Sequence, residues 1–356
     1  MQKQINKLDF INQNIFVGID VHKNKWVITI RMNHIELKTF SMESSAEQLL
    51  KYLKTHYPNA NYLVVYEAGF SGFWLQRFLS KNGISTIIVN PADIPATGRE
   101  KDKKDDHKDS RKLARELENQ TLTGIYILDE TIEELRSLTR IRNQFVGEKA
   151  RLKNRIKCFL SNYGKEFPGK NSRYWSKELL AKIRNIKFST SIAGDCIESY
   201  INHLDILQEK VKDLETKLKV ISDKYGFSKI TKNLESIPGI GFVSAISILT
   251  ELADINRFQR LDELCSYIGI VPSTNSSGEK ERTGGLTHRQ KSYLKNIIIE
   301  AAWVAVRKDP ALTMSYSRLI KRMNPQKAII KIAKKLLNRI RYVWKNNIEY
   351  QLAVVE

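Results

Sequence analysis

Five short apolar runs lie between residues 14 and 90, and the pattern disappears from about 126 to 228. Each is too short for a buried helix and rich in β-branched and aromatic residues, which reads as a strand. Asn14-Ile15-Phe16-Val17-Gly18-Ile19-Asp20 is followed after a polar turn by Trp26-Val27-Ile28-Thr29-Ile30, and His34 to Phe40 supplies a third run. Residues 44–56 switch to helical spacing, with Ala46, Leu49, Leu50 and Leu53 on one face behind the capping candidates Ser44 and Ser45. Tyr62 to Glu67 is a fourth strand, Phe73 to Leu79 a helix, and Thr86 to Asn90 a fifth strand closed by Pro91. A three-stranded meander followed by β-α-β units predicts an α/β domain, a mixed sheet with helices on its faces, over residues 1–125.

From 126 to 228 the spacing is helical. Leu138, Ile141, Phe145, Leu152, Ile156 and Phe159 recur on one face, and Leu204, Leu207, Val211, Leu214, Leu218 and Ile221 form a run with the period of a coiled-coil seam. A break at Phe167-Pro168-Gly169 predicts an antiparallel pair, either packed within one subunit or forming a dimer stalk. Residues 229–356 open on Ile237-Pro238-Gly239-Ile240-Gly241, a turn whose following helix start has free N–H groups, as in helix-hairpin-helix phosphate binders and in plain helical corners alike. The rest is expected to be mostly α-helical, around Val243–Leu252, Leu261–Ile268, Ile297–Val306 and Ile329–Val343, with a polar loop from Pro272 to Thr287.

The charge points to a polyanion. The 356 residues hold 59 Lys+Arg against 39 Asp+Glu, a net of +20. Residues 136–165 carry nine Lys/Arg against the single acid Glu148, and residues 318–341 carry nine against none, so a long or wrapped nucleic acid suits the pattern. No apolar run of membrane-spanning length and no apolar signal core occur, so a cytoplasmic, nucleoid-associated protein without a membrane partner is expected. Cys158, Cys196 and Cys265 lie far apart, suggesting neither a zinc site nor a disulfide framework, and are expected to be buried or half-buried thiols.

Acids sit where metal-dependent phosphodiester chemistry needs them. Asp20 and Glu67 each end a strand, and strand ends line the edge of an open α/β sheet where ligands bind. Farther on, Asp106 and Asp109 are three apart at a helix start, so both can face one way. Asp102 and Asp105 share the same D-x-x-D spacing. Hard Mg²⁺ or Mn²⁺ ions take such oxygen ligands, and clustered carboxylates repel unless cations join them. Taken singly, each acid also fits a strand terminator, a surface acid or a helix cap.

The segments FVGIDVHKNKWVI, VVYEAGFSGFWLQRFL, DDHKDSRKLAREL and LESIPGIGFVSAISILTEL, followed by LCSYIGIVPSTNSSGEKERTGGLTHRQKSYLKNIIIEAAW, closely resemble the transposases of the insertion sequence 110 family, also called DEDD transposases. The resemblance covers nearly the whole chain, with the motifs in the family order. It implies an RuvC-like domain of the RNase H fold at 1–125, a helical coiled-coil region at 126–228 and a C-terminal transposase domain at 229–356. It also implies that Asp20, Glu67, Asp106 and Asp109 are the DEDD acids, with Leu113 and Ala114 favouring Asp106 and Asp109 over the earlier pair. Ser110 stands where many relatives have Ala.

Three serines, Ser273, Ser276 and Ser277, lie in the loop that runs to Gly278 and read from spacing alone as turn formers. The family pattern G-L-x-P-x-x-x-x-S-G places its nucleophilic serine on Ser277, which would need a base or metal for activation, and so implies a composite site across domains or subunits. Arg282, His288, Arg289 and Lys291 are candidates for neutralising phosphate nearby. The resemblance further implies donor and target DNA as substrates, an element-encoded noncoding guide RNA and a homo-oligomer, dimer or tetramer. Arg140, Arg151, Lys153, Arg155, Lys331, Lys334 and Lys335 are the expected backbone contacts to DNA or RNA. Two rival readings are a junction-resolving nuclease using water, with Ser277 only a loop residue, and a DNA-binding protein whose acids hold no metal.

Overall fold

A computed structural model describes residues 9–95, 106–169, 174–277, 280–286 and 292–352, with Asp106, residues 272–277 and 280–286, and Ser292 described as backbone only. The chain divides into two compact units, Met1–Leu128 and Asp129–Glu356.

The first unit is the expected mixed sheet. Strands β1 (Asn14–Val21), β2 (Lys25–Met32), β3 (Ile35–Glu43), β4 (Asn61–Glu67) and β5 (Ser85–Val89) are ordered β3-β2-β1-β4-β5. The meander β1–β3 is antiparallel, and β4 and β5 add in parallel beyond β1. Met32 pairs with Ile35, and the two residues between them, Asn33 and His34, both have positive φ (49° and 64°), the primed turn whose twist matches a hairpin. Helix α1 (Ala46–His56) is capped by Ser45, whose side chain accepts from the Gln48 N–H at 3.2 Å, while Ser44 donates to the Lys23 carbonyl instead. Helix α2 (Trp74–Lys81) joins β4 to β5, and α3 (Asp106–Glu118) follows.

Period-two alternation sorts the sheet into two faces. Ile15, Val17, Ile19, Trp26, Ile28, Ile30, Val64, Tyr66 and Ile88 share a buried core with Leu49 and Leu53 of α1 and Leu75 and Leu79 of α2. The opposite face buries Val65 and Val89, flanked by Phe16 and Leu63, against Leu113 and Leu117 of α3.

The second unit is mainly helical. Helices α4 (Glu130–Asn162) and α6 (Ser191–Lys224), each about 50 Å long, run antiparallel, with α5 (Lys177–Arg184) beside them. Their direction follows from their contacts: Arg142 on α4 donates to Glu215 on α6 at 2.9 Å, and Phe159 packs edge-on against Tyr200. Leu204 and Leu207 are buried with Leu152, Ile156 and Leu160 of α4 and with three apolar residues of α5. The seam is thus filled within one chain over these turns, the packed alternative to a dimer stalk. Cys158 and Cys196 prove exposed on these helices, contrary to the expectation for them. Only Cys265 is buried among the three, and desolvation pushes its thiol up to about 11.

After α7 (Ser228–Glu235), the Pro-Gly turn leads into α8 (Phe242–Leu252). Gly239 has φ 93°, and a Cβ there would collide with the Ala301 carbonyl, so this corner needs glycine for conformation and for space. Buried Glu251 on α8 is gripped by Arg140 of α4 through two hydrogen bonds of 2.7 and 3.0 Å, and Arg136 donates to the Thr250 and Glu251 carbonyls at the end of α8. Helix α9 (Leu261–Ile268) ends on Gly269.

One segment departs from expectation. The predicted polar loop from Pro272 contains two antiparallel strands, β6 (Pro272–Ser277) and β7 (Lys280–Leu286). A ladder needs only backbone groups, and this one has no apolar alternation for periodicity to detect. Helices α10 (Ser292–Lys308), α11 (Pro310–Ile320) and α12 (Pro325–Asn346) complete the unit. Fully buried Asp309 caps α11, accepting from Leu312 N–H at 3.0 Å, and also binds Arg339 of α12 and the Tyr350 hydroxyl. Among the described residues, no helix is long and apolar enough to cross a membrane.

Candidate carboxylate centre and serine hairpin

Strand register brings the first two acids together. β1 and β4 pair in parallel from Asn14 with Asn61 to Ile19 with Tyr66, so one further step sets Asp20 beside Glu67. Ile19 and Tyr66 point into the core under α1 and α2, so Asp20 and Glu67 project from the other face, the one covered by α3.

Three contacts fix how α3 crosses that face. Glu118, near its C-terminus, accepts from Arg31 Nε–H at 2.7 Å and from the His34 backbone N–H at 2.6 Å. Ser110, a little over two turns earlier, is fully buried and lies 2.9 Å from the Thr29 hydroxyl, which in turn lies 2.9 Å from that of Thr39. Thr29 pairs with Gly18, and a Cβ on Gly18 would collide with the Ser110 carbonyl and the Ala114 nitrogen. Because Arg31 pairs with Phe16 and Thr29 with Gly18, α3 runs opposite to β1, and its N-terminus lies toward the end of the strand where Asp20 stands. Asp109 immediately precedes buried Ser110 and is half-buried, and Asp106 is the first residue of the helix. The N-terminal helix dipole favours carboxylates there.

The fold therefore brings Asp20, Glu67 and Asp109, with the backbone of Asp106, to one edge of one sheet. Asp102 and Asp105 lie outside the described residues, as does the Asp106 side chain. Among the described residues, no three His, Cys, Asp or Glu side chains stand close enough to share one ion. Like-charged carboxylates repel at short range unless a cation or a shared proton joins them. The donor set is wholly hard oxygen, on a partly open edge where the Asp20 side chain is 21% exposed, and it fits Mg²⁺ or Mn²⁺ chemically. Sequence reasoning missed two neighbours. His22 Nε2 lies 3.0 Å from Asp20 Oδ2, and the signal for it was the D-x-H spacing at a strand end. Gly18 lets α3 approach closely, and a glycine inside an apolar strand was its signal.

Ser277 is the last residue of β6 and pairs with Lys280, and Ser276 pairs with Glu281. Gly278, Glu279, His288, Arg289 and Lys291 lie outside the described residues, and Arg282 is described only as backbone, paired with Asn275. The expected cationic contacts divide by environment. Arg151, Arg155 and Lys331 are exposed. Arg140 is committed to Glu251, Lys334 donates to Asp262 at 2.7 Å, and Lys335 donates to Ser315 at 2.6 Å. The Lys334–Asp262 hydrogen bond raises the Lys334 pKa and lowers that of Asp262. Lys153 lies over the Trp175 ring, its pKa lowered first by burial and then by Lys149 and Lys157.

Two family models match the sequence. Residues 17–165 match one described as "Transposase", the DEDD type of IS110, and residues 231–318 match "Transposase IS116/IS110/IS902 family". Among similar proteins, the putative transposase y4qE of Sinorhizobium fredii is 26% identical over 81% of this chain and 71% of its own length. The transposase for insertion sequence element IS1111A of Coxiella burnetii is 25% identical over 76% and 74%. That for IS1533 of Leptospira borgpetersenii is 23% identical over 82% and 86%. Both models fall on the segments that carry the acids and the serine, in the same order along the chain. The chain belongs to the insertion sequence 110 family of transposases, enzymes that cut and recombine DNA.

Proposed function

We propose that the carboxylate edge is the phosphodiester-cleaving centre of this transposase and that Ser277 is its nucleophile. The observation that carries the reading is the in-register placement of Asp20 and Glu67 on the face that the acidic start of α3 crosses. Asp20, Glu67, Asp106 and Asp109 would hold Mg²⁺ or Mn²⁺, which when bound supplies Lewis acidity at the phosphate oxygens. The close approach of α3 at Gly18 and the Glu118–Arg31 bond keep the helix, and with it Asp109, at a fixed height over the sheet. The Ser277 oxygen forms a bond to phosphorus as the bond to one deoxyribose oxygen breaks. The serine loses its proton and the leaving oxygen gains one, so no net proton is consumed. The phosphoserine linkage keeps the phosphodiester energy for rejoining.

The remaining parts of the reading follow the family. The helical region 126–228 and the C-terminal domain 229–356 present the basic surfaces, with Arg151, Arg155 and Lys331 exposed to contact donor DNA, target DNA and a structured guide RNA in a dimer or tetramer. Self-association does not need the Leu204–Leu207 turns, which are already buried within the chain.

The test is to trap the reaction on labelled DNA with Mg²⁺ and look for a denaturant-resistant protein–DNA species. Ser277→Ala should lose it and Ser276→Ala keep it. An adduct surviving in Ser277→Ala removes the serine assignment. Free cut ends without any adduct leave a nuclease that uses water.

A further inference from the structure

The chain leaves Glu67 through a short loop that ends in large exposed rings. Gly69 to Gly72 form a turn closed by the Gly72 N–H on the Gly69 carbonyl at 3.4 Å, and Phe70, at its tip, is 72% exposed. The loop is anchored at both ends. Ala68 N–H donates to the Val89 carbonyl at 2.8 Å, and the fully buried Tyr66 hydroxyl donates to the Gly72 carbonyl at 3.1 Å while accepting from Gln76 N–H at 3.2 Å. Trp74, the first residue of α2, is 48% exposed, with its inner edge resting against buried Trp26 at 6.1 Å between centroids. Three residues of chain span at most about 11 Å, so Phe70 stands close beside Glu67. At the same edge, the β1–β2 turn exposes Lys23 and Lys25.

A lone exposed ring is ordinary, but Phe70 is held by a pinned loop at the polar edge where a phosphodiester would lie. Rigid aromatic faces beside cations suit a nucleic-acid strand whose base has left its stack, because every base offers a π-face and its phosphates seek the lysines. We infer that Phe70 is a stacking platform for an unpaired base of the DNA strand next to the bond being cut, with Lys23 and Lys25 neutralising adjacent phosphates. This rests on the proposed carboxylate centre as the place of cleavage. It adds a demand for local unpairing at the cut site, which the carboxylates alone do not impose.

The probe is an oligonucleotide with 2-aminopurine at alternate positions, added to the full chain as a single strand and as a full duplex. Stacking quenches the single strand's fluorescence. Phe70→Ala should remove most of the quenching and weaken single-strand binding about tenfold, within the range for one lost base–aromatic stack, while duplex binding is unchanged. Phe70→Trp should restore both, and melting should not move because the ring is exposed. Equal quenching and affinity in Phe70→Ala and the parent would overturn the proposal, as would no quenching with the parent. A fall in oligomeric mass with quenching intact also overturns it and assigns the ring to a second copy. Glu67→Gln separates the two readings. It should abolish cleavage and leave quenching in place, and if it still cleaves, the carboxylate centre fails while quenching judges the platform independently.

Discussion

The acids of the first unit and the serine of the second stand on different kinds of element. Asp20, Glu67 and Asp109 each adjoin a buried residue of their element, so their positions are set by a close-packed interior: Ile19 and Tyr66 beneath the sheet, Ser110 and Leu113 above it. Ser277 ends β6, a strand of polar residues paired in register with β7, Ser277 opposite Lys280. Close packing resists displacement, and a strand ladder fixes backbone register. Under the proposed roles, the acids take from that packing the fixed separation that metal ligands need.

The strongest way to break this comparison is at Gly18. A valine there would drive its side chain into the α3 backbone, which cannot yield without lifting the helix from the sheet. The expected cost is about 3 kcal/mol or more in the first unit, with loss of cleavage beyond what the lost stability explains. Thermal melting beside cleavage measured well below the melting point checks it. A Gly18→Val protein that melts and cuts like the parent would mean that α3 does not place Asp109.

Next in size is Arg140, which separates structural from nucleic-acid-binding cations. Arg140→Ala strips the buried Glu251 of its two-bond partner and leaves Arg136 at 3.8 Å. Uncompensated buried carboxylates are expensive, so a loss of about 2 kcal/mol is expected, discounted because Arg140 itself is half exposed. Arg151→Ala, on an exposed position of the same helix, should leave melting unchanged. Equal melting of the two would put Arg140 back among the free surface cations.

Ser110→Ala is a finer probe. It removes the hydroxyl that bonds Thr29 and the His107 carbonyl, while Thr29 keeps its bond to Thr39, so the cost should be about 1 kcal/mol with little loss of cleavage. A severe cleavage defect with normal melting would show that this hydroxyl sets the height of Asp109 rather than merely satisfying Thr29.

What could be read from the sequence follows the same division. The five strands and the long helices were legible because Ile15, Val17 and Ile19, or Ile329, Ile332 and Leu336, repeat with the period of the element that buries them. Asp20 and Glu67 were legible as strand-end acids for that reason. The β6–β7 ladder was not, because the run from Pro272 to Ser277 has no apolar alternation, and Ser277 was singled out from its neighbours only by family resemblance. Nor could spacing show that Arg140 and Lys334 already have carboxylate partners, since Glu251 and Asp262 lie far along the chain from them. Helices α5, α7 and α11 were missed, although α2 and α9, which were legible, are no longer than α5 and α7.

The smallest expected effect concerns the outer cations, and it tests whether exposure identifies nucleic-acid contacts better than sequence clustering does. Each phosphate contact contributes about 0.7–0.9 to the slope of log affinity against log salt. Arg151, Arg155 and Lys331 are exposed, whereas Lys334 is held by Asp262. Replacing each of the first three singly with Gln should reduce the slope by about one contact, and Lys334→Gln should leave it nearly unchanged, because a lysine already paired releases no counterion when DNA arrives. Titrations of one DNA at several salt concentrations give the four slopes directly. Should Lys334→Gln flatten the plot as much as Lys331→Gln, the Asp262 pair must open on binding, and clustering along the sequence would then be the better guide.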